Sequence, residues 1–522
     1  MTQADVMTQA DVVIAGGGPT GLMLASELLL AGVQPVVLDR LPEISQVPKG
    51  NGLVGQIVPM LDYRGLLDRF RAEATYAGAI PRFGFGQLEL DLARLGTSPL
   101  HILAIPQRRL ERLLGDRVAE LGGRLRREQE LAGLAQDDDG VTLDLHGPEG
   151  ASQLRARYLV GCDGAHSLVR KQAGIGFPGV TSGELSRIGR VRLPAGLIVP
   201  GTGEIDVPGF GRITPIQRHA TPRGGYSIAP VAALDKSAPR GLYIVYTSEE
   251  NGTPGTEHDP MTLDELSASF RRVLGAELPM SDPQLLSRTV GNSRQADRYR
   301  AGRVLLAGDA AHLLGQGGSL NTGLLDAVNL GWKLAAQVRG QAPDGLLDSY
   351  HDERHLAGRR AIMQTRVQKA LSGRDEAAAA LRELLGELLR FDEPLRHVGE
   401  LIEGSDVRYP MPGNGAWPDP LVGRLAPDLA VDTPEGRTRV AELLRPARGV
   451  LLDFTPDAAA APAAAGGQVT HIAARMADPP AAALLIRPDG YVAWAGSPVP
   501  PGSPDLLGGL PTALATWFGP AG

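Results

Sequence analysis

Residues 12–23 read VVIAGGGPTGLM, and residues 36–40 read VVLDR. The pattern predicts a buried strand, a glycine turn, a helix and a second strand, which is the βαβ unit that binds a dinucleotide. Gly16 would make the tight turn, Gly18 would let the backbone approach a pyrophosphate, and Gly21 would let helix and strand pack closely. The phosphates would lie at the helix N-terminus.

An acid stands at the end of the second predicted strand. Asp39 follows Gly21 by about 20 residues, where a carboxylate can accept hydrogen bonds from ribose hydroxyls. The same carboxylate disfavours a 2′-phosphate. The first site is therefore predicted to bind FAD or NAD rather than NADP.

Size and composition favour a soluble protein of several domains. A chain of 522 residues exceeds the ~250–300 residues at which single cores stop growing, so two or three domains are expected. The apolar runs are too short to span a membrane, and the net charge of −7 argues against nucleic acid as a partner. One cysteine and no signal-peptide pattern favour a cytoplasmic protein, and a homodimer is a further possibility.

The succession of patterns suggests how the chain is divided. Helices are predicted at 344–371 and 374–402, the first six residues are expected to be a disordered extension, and the alanine-rich 457–467 a flexible insertion. The expected domains are a nucleotide-binding part at 1–175 with an excursion at 74–103, a β-rich domain at 176–285, a return segment with helices at 286–402, and a C-terminal domain at 403–522.

Two further motifs place an acid where a buried strand ends. Residues 158–170 read YLVGCDGAHSLVR and contain Asp163, and residues 302–312 read GRVLLAGDAAH and contain Asp309. A ligand crevice opens at such strand ends in α/β sheets. Either motif alone could equally be a structural turn, but three glycine-acid motifs in this order are hard to obtain by chance.

Together the motifs resemble the single-component class A FAD-dependent aromatic hydroxylases, and the resemblance covers most of the chain. It implies an α/β (α+β) fold with a Rossmann-like FAD-binding domain, an inserted β-sheet substrate domain and a C-terminal thioredoxin-like domain. Because Cys162 is the only cysteine, that last domain has no Cys-x-x-Cys pair and no thiol redox role.

The resemblance also implies which residues contact the cofactor, FAD, and it implies no metal site. The segment LNTG at 320–323 would open a helix whose N-terminus faces the flavin, so Asn321 and Thr322 are catalytic candidates. In the alternative interpretation Asn321 is a helix cap and Gly323 an entry residue, and both interpretations can be true. The expected FAD contacts are Gly16, Gly18, Pro19, Thr20, Gly21, Asp39, Arg40, Gln107, Asp163, Asp309, Leu320 and Asn321.

A closer resemblance is to hydroxylases that tailor aromatic polyketide antibiotics, such as the anhydrotetracycline and angucycline oxygenases, and to rifampicin monooxygenases. Shared segments include GPTGLMLASEL, RYLVGCDGAHSLVRK, LNTGLLDAVNLGWKLAA and LIRPDGYVAW. The resemblance implies a monooxygenase that uses NADPH and O2 to hydroxylate a polycyclic aromatic substrate. Pocket residues are sought among 212–215 and 226–230.

Two departures from the family pattern lie in segments expected against the flavin. The loop at 313–319 is short and lacks proline, and Lys49-Gly50 stands where relatives often have an arginine and a small residue. These departures leave a Baeyer–Villiger oxidation of a ring ketone, of the premithramycin type, as an alternative. A flavin-fold binding protein without catalysis is a further one.

Single residues that could suggest other chemistry are interpreted structurally. His312 next to a cofactor loop is predicted to be a hydrogen-bonded structural residue. Ser167 is not surrounded by a Gly-x-Ser-x-Gly pattern, so it is predicted to cap a helix.

Overall fold

The computed structural model describes residues 8–45, 50, 52–96, 98, 100–233, 235, 238–250, 260–315, 319–412, 419–455, 467–496 and 507–519. The expectations for the first six residues, for Lys49 and for nearly all of the alanine-rich stretch lie outside these ranges, as does the middle of the 313–319 loop. None of the helices in the described ranges is long and apolar enough to cross a membrane.

The described α-helices are distributed over the whole chain. They are α1 (Pro19–Leu30), α2 (Ile57–Asp62), α3 (Leu67–Glu73), α4 (Gln107–Glu120), α5 (Leu168–Gln172), α6 (Leu263–Leu274), α7 (Ser319–Val338), α8 (Ser349–Leu371), α9 (Glu376–Leu388), α10 (Asp392–Glu403), α11 (Val440–Leu443) and α12 (Leu510–Phe518).

The described strands form seven sheets. They are β1 (Thr8–Ala15), β2 (Pro35–Leu38), β3 (Leu53–Val54), β4 (Tyr76–Ala79), β5 (Arg82–Phe85), β6 (Leu88–Asp91), β7 (His101–Ala104), β8 (Arg124–Arg126), β9 (Glu130–Gln136), β10 (Val141–Gly147), β11 (Gly150–Gly161), β12 (Gly179–Arg192), β13 (Ile205–Val207), β14 (Gly211–Ile213), β15 (His219–Thr221), β16 (Gly224–Pro230), β17 (Leu242–Glu250), β18 (Ser281–Gln295), β19 (Arg300–Ala301), β20 (Val304–Leu306), β21 (His312–Leu314), β22 (Ala430–Thr433), β23 (Gly436–Arg439), β24 (Gly449–Asp453), β25 (Val469–Ala473), β26 (Ala483–Ile486) and β27 (Val492–Ala495).

The first sheet has the order β19-β20-β11-β1-β2-β8, and β10 and β9 continue it as a meander from β11. Strand β1 pairs in parallel with both β11 and β2. Val12, Val13 and Ile14 are fully buried, as expected of a parallel strand covered on both faces. The strand, glycine turn, helix and strand predicted at the N-terminus are therefore present as β1, α1 and β2.

The second sheet is antiparallel, with the order β15-β16-β17-β12-β18-β21. Helix α6 covers one face of it, burying Leu266, Phe270 and Val273 against strand side chains. The chain leaves the first sheet after β11 and returns to it at β19, so this sheet is an insertion. Residue 285, the expected domain boundary, falls inside β18.

A four-stranded sheet of order β25-β24-β26-β27 lies in the C-terminal part. Its first pair is parallel, and the other two pairs are antiparallel. Trp517 and Phe518 of α12 pack on one face together with Trp332 of α7. The C-terminal domain therefore shares a core with the FAD-domain helix that leads away from the expected flavin.

One helix prediction is wrong. The segment 374–402 is not a single helix but two, α9 and α10, separated after Leu388. Pro394 lies in the first turn of α10, where its missing N–H costs nothing, but in the interior of one long helix it would remove a hydrogen bond and clash. A new helix therefore begins just before the proline.

Candidate active site

The glycine turn between β1 and α1 is built as its residue types require. Gly16 has a φ of 113°, and a Cβ on it would lie 2.3 Å from the carbonyl oxygen of Cys162. A Cβ on Gly21 would lie 2.0 Å from the carbonyl oxygen of Gly16. Gly18 differs, because a Cβ there would meet no heavy atom within 4 Å. Gly16 and Gly21 are thus glycines for packing, and Gly18 faces free space at the N-terminus of α1.

The Gly-Asp motif lies against this turn. Cβ atoms built on Gly308 and on Gly323 would each lie 2.7 Å from Oγ1 of Thr20. The N-terminus of α1, the turn after β20 and the N-terminal part of α7 thus meet at Thr20. Asp309 lies on that turn with an exposed side chain.

The other two acids are held by backbone amides. Asp39 accepts hydrogen bonds from the amides of Gly17 at 3.0 Å and Leu41 at 2.8 Å. Asp163 Oδ2 accepts from the amides of Leu168 and Val169 at the start of α5. Its second oxygen, Oδ1, is buried with no partner among the described residues.

A second group of predicted contacts gathers at the N-termini of α4 and α7. The amide of Gln107 donates to the carbonyl of Gly50 at 2.9 Å. A Cβ on Gly50 would lie 3.3 Å from both Gln107 Oε1 and a methyl group of Leu320. Asn321 Oδ1 accepts a hydrogen bond from the amide of Val54 at 3.0 Å, which ties α7 to β3.

These observations fit FAD. Free space in front of Gly18 suits a pyrophosphate at a helix N-terminus, and the Asp39 carboxylate stands beside it for a ribose. The buried, unpartnered oxygen of Asp163 needs a hydrogen-bond donor that the described protein atoms do not supply. Arg40 is exposed next to Asp39 and has room to contact a ligand.

A cavity of about 370 Å³ begins where α7 meets β3. Its wall near α7 contains Val54, Asn321 and Thr322, and the side from the excursion contains Phe83 and Ile102. Its far wall comes from α8, from the end of α10 and from the C-terminal domain. Those residues include Arg354, Arg360, Gln364, Gln368, Glu403, Asp406 and Tyr491.

Comparison with known families decides what this arrangement belongs to. Residues 9–365 match the FAD binding domain family, and residues 419–521 match the family of the aromatic-ring hydroxylase C-terminal domain. The chain belongs to the FAD-dependent aromatic-ring hydroxylases, a family of flavin-dependent monooxygenases. The predicted resemblance is confirmed.

Individual relatives match this chain over nearly its whole length. It is 41% identical to the 12-dehydrotetracycline 5-monooxygenase/anhydrotetracycline 6-monooxygenase of Streptomyces rimosus, covering 98% of this chain and 99% of the relative. It is 38% identical, with the same coverages, to a dialkyldecalin synthase of Streptomyces rugosporus. The solved structure of an anhydrotetracycline hydroxylase from S. rimosus superposes with a TM-score of 0.83 at 39% identity, covering 99% of this chain and 100% of that one.

This cavity is not lined by the β-domain segments in which we sought pocket residues, and those segments stay a prediction. None of its lining residues belongs to 212–215 or 226–230. Ile213 and Tyr226 are instead buried in the core that the β-sheet forms with α6. Their apolar character serves packing of that domain, which sequence periodicity does not distinguish from a pocket.

Sequence reasoning missed a buried charge cluster behind the Gly-Asp turn, which we call the Asp326 cluster (His312, Asp326 and Arg354). Asp326 accepts hydrogen bonds from the Gly308 amide at 3.0 Å, from His312 Nε2 at 2.6 Å and from Arg354 Nε at 2.7 Å. Burial alone would raise the pKa of Asp326, but the charges of His312 and Arg354 outweigh burial and lower it.

Arg354 connects that cluster to the cavity. It donates to the carbonyl of Thr322 at 3.0 Å and to the hydroxyl of Tyr409 at 2.6 Å. The start of α7, which would face the flavin, is therefore fixed from behind by a buried ion pair. His312 is fully buried within it, in agreement with its predicted structural role.

A second buried group, the interdomain cluster, consists of Asn329, Lys333, Glu353, Arg487 and Asp489. Arg487 donates to both oxygens of Glu353 at 2.6 and 2.8 Å, and Lys333 donates to the same carboxylate at 2.8 Å. A usable signal was present in the sequence, because Asp326, Asn329 and Lys333 recur at helical spacing within an otherwise apolar helix.

One further prediction can be compared with the geometry. Ser167 Oγ accepts from the amide of Arg170 at 2.9 Å, so Ser167 caps α5 as predicted. Within the described ranges, no group of three or more His, Cys, Asp or Glu side chains is placed to hold a metal ion.

Proposed function

We propose that the protein is an FAD- and NADPH-dependent monooxygenase that hydroxylates a polycyclic aromatic polyketide. The observation that carries the proposal is the cavity that starts at the N-terminus of α7 and Val54, directly beside the residues expected to hold FAD. Its wall combines apolar side chains such as Leu53, Phe83 and Leu325 with polar and charged groups, most of them at the far end. Such a lining suits a flat, mostly apolar ligand.

FAD, when bound, would supply the reduction of O2 and the transfer of one oxygen atom to the substrate. The chain's own contribution is binding, orientation and electrostatics. The amide groups at the start of α7 would face the flavin and favour negative charge on it. Arg354, paired with Asp326, holds that helix end in place.

The twelve residues from Gly16 to Asn321 given above as FAD contacts remain our proposal for the cofactor site. Asn321 is already engaged with Val54, so it acts as a positioning residue for the flavin-facing helix end. We also infer that the C-terminal domain is thioredoxin-like without a dithiol. Its sheet order, one parallel pair followed by two antiparallel pairs, supports this.

The first test is whether the purified protein carries FAD and uses it. We expect flavin absorption, release of FAD on denaturation, and NADPH oxidation that accelerates when anhydrotetracycline or another polycyclic phenol is added. Faster oxidation of NADH than of NADPH would show that NADH, rather than NADPH, is the preferred electron donor.

The reaction class is read from products formed under ¹⁸O2. A labelled ring hydroxyl supports hydroxylation, whereas a labelled ring-inserted oxygen shows Baeyer–Villiger oxidation. Because one relative is named a synthase, a product without label from a protein that holds FAD would reject the monooxygenase proposal. A protein that cannot be reconstituted with FAD would reject it at the cofactor step.

A further inference from the structure

Two carboxylates lie in the far wall of the cavity, close together in sequence. Glu403 is the last residue of α10, and Asp406 follows after Gly404, whose φ of 87° turns the chain at the helix end. Both line the cavity together with Arg360 of α8. The Glu403 carbonyl accepts the Gln56 amide at 3.1 Å, which fixes this turn against the start of α2.

Only one of the two oxygens of the Asp406 carboxylate accepts hydrogen bonds from the described residues. Its Oδ2 accepts from Arg360 Nε at 2.8 Å and Nη2 at 2.6 Å. Its Oδ1 is buried and has no hydrogen-bond partner among the described residues, and the side chain is only 4% exposed. A buried carboxylate oxygen without a hydrogen-bond donor costs free energy, so a ligand that donates a hydrogen bond to this atom would stabilise the site.

The Glu403 carboxylate has no cation to neutralise it. It accepts one hydrogen bond, from Ser405 Oγ at 2.8 Å. Within the described part of the chain, no Lys, Arg or His nitrogen lies within 4 Å of it. Arg360 is already engaged with Asp406, and Arg408 donates to the carbonyls of Val422 and Asp419.

Other charged and titratable groups lie near Glu403 or across the cavity from it. Glu400 lies one turn earlier on α10, and Arg424 donates to the Ser405 carbonyl at 3.2 Å. Across the cavity, Arg354 pairs with Asp326, and Tyr491 donates to Gln56 at 3.1 Å. Burial, opposed by the Ser405 hydrogen bond and reinforced by Glu400, raises the pKa of Glu403 to about 7.

We propose that Glu403 accepts the proton of a phenolic or enolic hydroxyl of the substrate, while Asp406 Oδ1 accepts a hydrogen bond from a second hydroxyl. The inference rests on the proposed function and names the polar feature its substrate must carry. In the proton transfer, the substrate O–H bond breaks, a new O–H bond forms on Glu403, and the electron pair stays on the substrate oxygen. The ring becomes more electron-rich and more reactive toward oxygen insertion.

The balance of charge favours hydroxyl groups over an amine. Arg360 already neutralises Asp406, so only Glu403 would remain to pair with a cation, and near neutrality that carboxyl is partly protonated. A hydroxyl can donate to the ionised form without a full counter-charge. Hydroxyls on a flat aromatic frame also match the apolar wall beside these acids.

The test measures binding rather than turnover. The FAD holoenzyme is titrated with 1,4-dihydroxyanthraquinone between about pH 5.5 and about pH 8.5, which brackets the expected titration. We expect the affinity of the wild type to rise roughly tenfold with pH, the change that one hydrogen bond to a charged group confers. In Glu403→Gln the affinity should be independent of pH and close to the low-pH value of the wild type.

Matched variants and a matched ligand identify the responsible group. Ser405→Ala should move the midpoint of the wild-type curve to higher pH, because it removes a hydrogen bond that lowers the pKa of Glu403. Glu400→Gln should move the midpoint to lower pH, because it removes a negative charge that raises this pKa. Neither side chain lines the cavity, so neither change alters the ligand contacts directly. The 1,4-dimethoxy analogue, which has no hydroxyl to donate, should bind without pH dependence in every variant. A pH dependence that persists in Glu403→Gln, or that the dimethoxy analogue shares, would overturn the proposal.

The outcome is separable from that of the proposed function. NADPH oxidation and ¹⁸O incorporation are measured independently on the same holoenzyme. Failure of both with intact pH-dependent binding would reject the monooxygenase and retain the carboxylate site. Turnover with a pH-independent affinity would reject the carboxylate site alone.

Discussion

The interdomain cluster is a group of buried charges, the carboxylates of the cavity wall are partly buried, and the two groups are completed differently. In the interdomain cluster, the carboxylates of Glu353 and Asp489 face two cations, Lys333 and Arg487, and Arg487 is fully buried. In the cavity wall, Arg360 pairs with Asp406, and no basic side chain of the described residues forms an ion pair with Glu403. Both carboxylates of the first group have their cations within the protein, and the second group is completed by a ligand.

The comparison distinguishes charged groups that stabilise the fold from charged groups that bind a substrate. A buried carboxylate with its cations in place keeps its charge, and the pKa of Glu353 falls to about 2 because Arg487 and Lys333 outweigh the effect of burial. A carboxylate without a cation shows the opposite shift, as Glu403 does. The pKa values of Glu353 and Glu403 are therefore shifted in opposite directions, because cations lie beside one carboxylate and not beside the other.

Breaking the complete cluster should have the largest effect. Arg487→Gln leaves Glu353 and Asp489 buried with only Lys333, and removal of one partner from a buried ion pair costs about 3–5 kcal/mol. We expect a lower unfolding midpoint in urea and separate unfolding of the C-terminal domain. Arg271→Gln, which breaks an exposed pair with Glu277, is the control and should cost less than about 1 kcal/mol. Equal stabilities of the two variants would show that the cluster does not hold the domains together.

The Asp326 cluster should follow in size of effect. Asp326→Asn removes the charge that His312 and Arg354 share, and loss of hydrogen bonds between charged groups costs about 1.5–3 kcal/mol. Because Asp326 also holds the Gly308 amide, the variant should retain less FAD after purification. The measurement is the ratio of flavin to protein absorbance together with the unfolding midpoint. Asp116→Asn, at an exposed pair with Arg69, should change neither, and an unchanged flavin content in Asp326→Asn would contradict the assignment.

Neutralising Glu403 should stabilise the fold, whereas the two preceding substitutions should destabilise it. Below about pH 4.5 the Glu403 carboxyl is protonated in both the folded and unfolded chain. As pH rises to about 7, the unfolded chain loses this proton while the folded chain keeps it, so wild-type stability falls. Glu403→Gln should therefore exceed the wild type by about 1–2 kcal/mol at pH 8 and by nearly nothing at pH 4.5.

The check is urea unfolding of both proteins at the two pH values without substrate. Glu400→Gln serves as the control, because it removes a neighbouring charge and should reduce the pH dependence only slightly. A variant less stable than the wild type at pH 8 would show that Glu403 carries a fold-holding role like that of Glu353.

The smallest effect on stability should come from the free space in front of α1. Gly18→Ala adds a methyl group that meets nothing within 4 Å at a residue with ordinary φ, so the apoprotein should change by less than about 0.5 kcal/mol. FAD binding, measured by flavin fluorescence, should nevertheless weaken at least tenfold. Gly115→Ala, also without neighbours within 4 Å but on α4, should leave FAD affinity unchanged. Normal FAD affinity in Gly18→Ala would contradict the proposal that the pyrophosphate binds in front of Gly18.

The sequence was informative where the chemistry is local. Gly16, Gly18 and Asp39 belong to one strand–turn–helix–strand unit, so spacing along the chain was enough to predict how they gather. The pairs that build the rest are distant in sequence. Glu353 lies on α8 and Arg487 in the turn after β26, and the sequence around one charged residue does not show which distant residue pairs with it. The Glu403 site also depends on the end of α10, a helix that periodicity merged with its predecessor.

The contact of Tyr491 with the cavity has an evolutionary and practical consequence. This residue belongs to the C-terminal domain, yet it stacks on Tyr409 at 4.2 Å between ring centres and donates to Gln56 in the cavity wall. Recombination that exchanges this domain between homologous chains would carry a piece of the ligand-facing wall with it. Chimaeras joined before residue 419 are thus a route to altered ligand preference, whereas truncation there removes part of the binding wall.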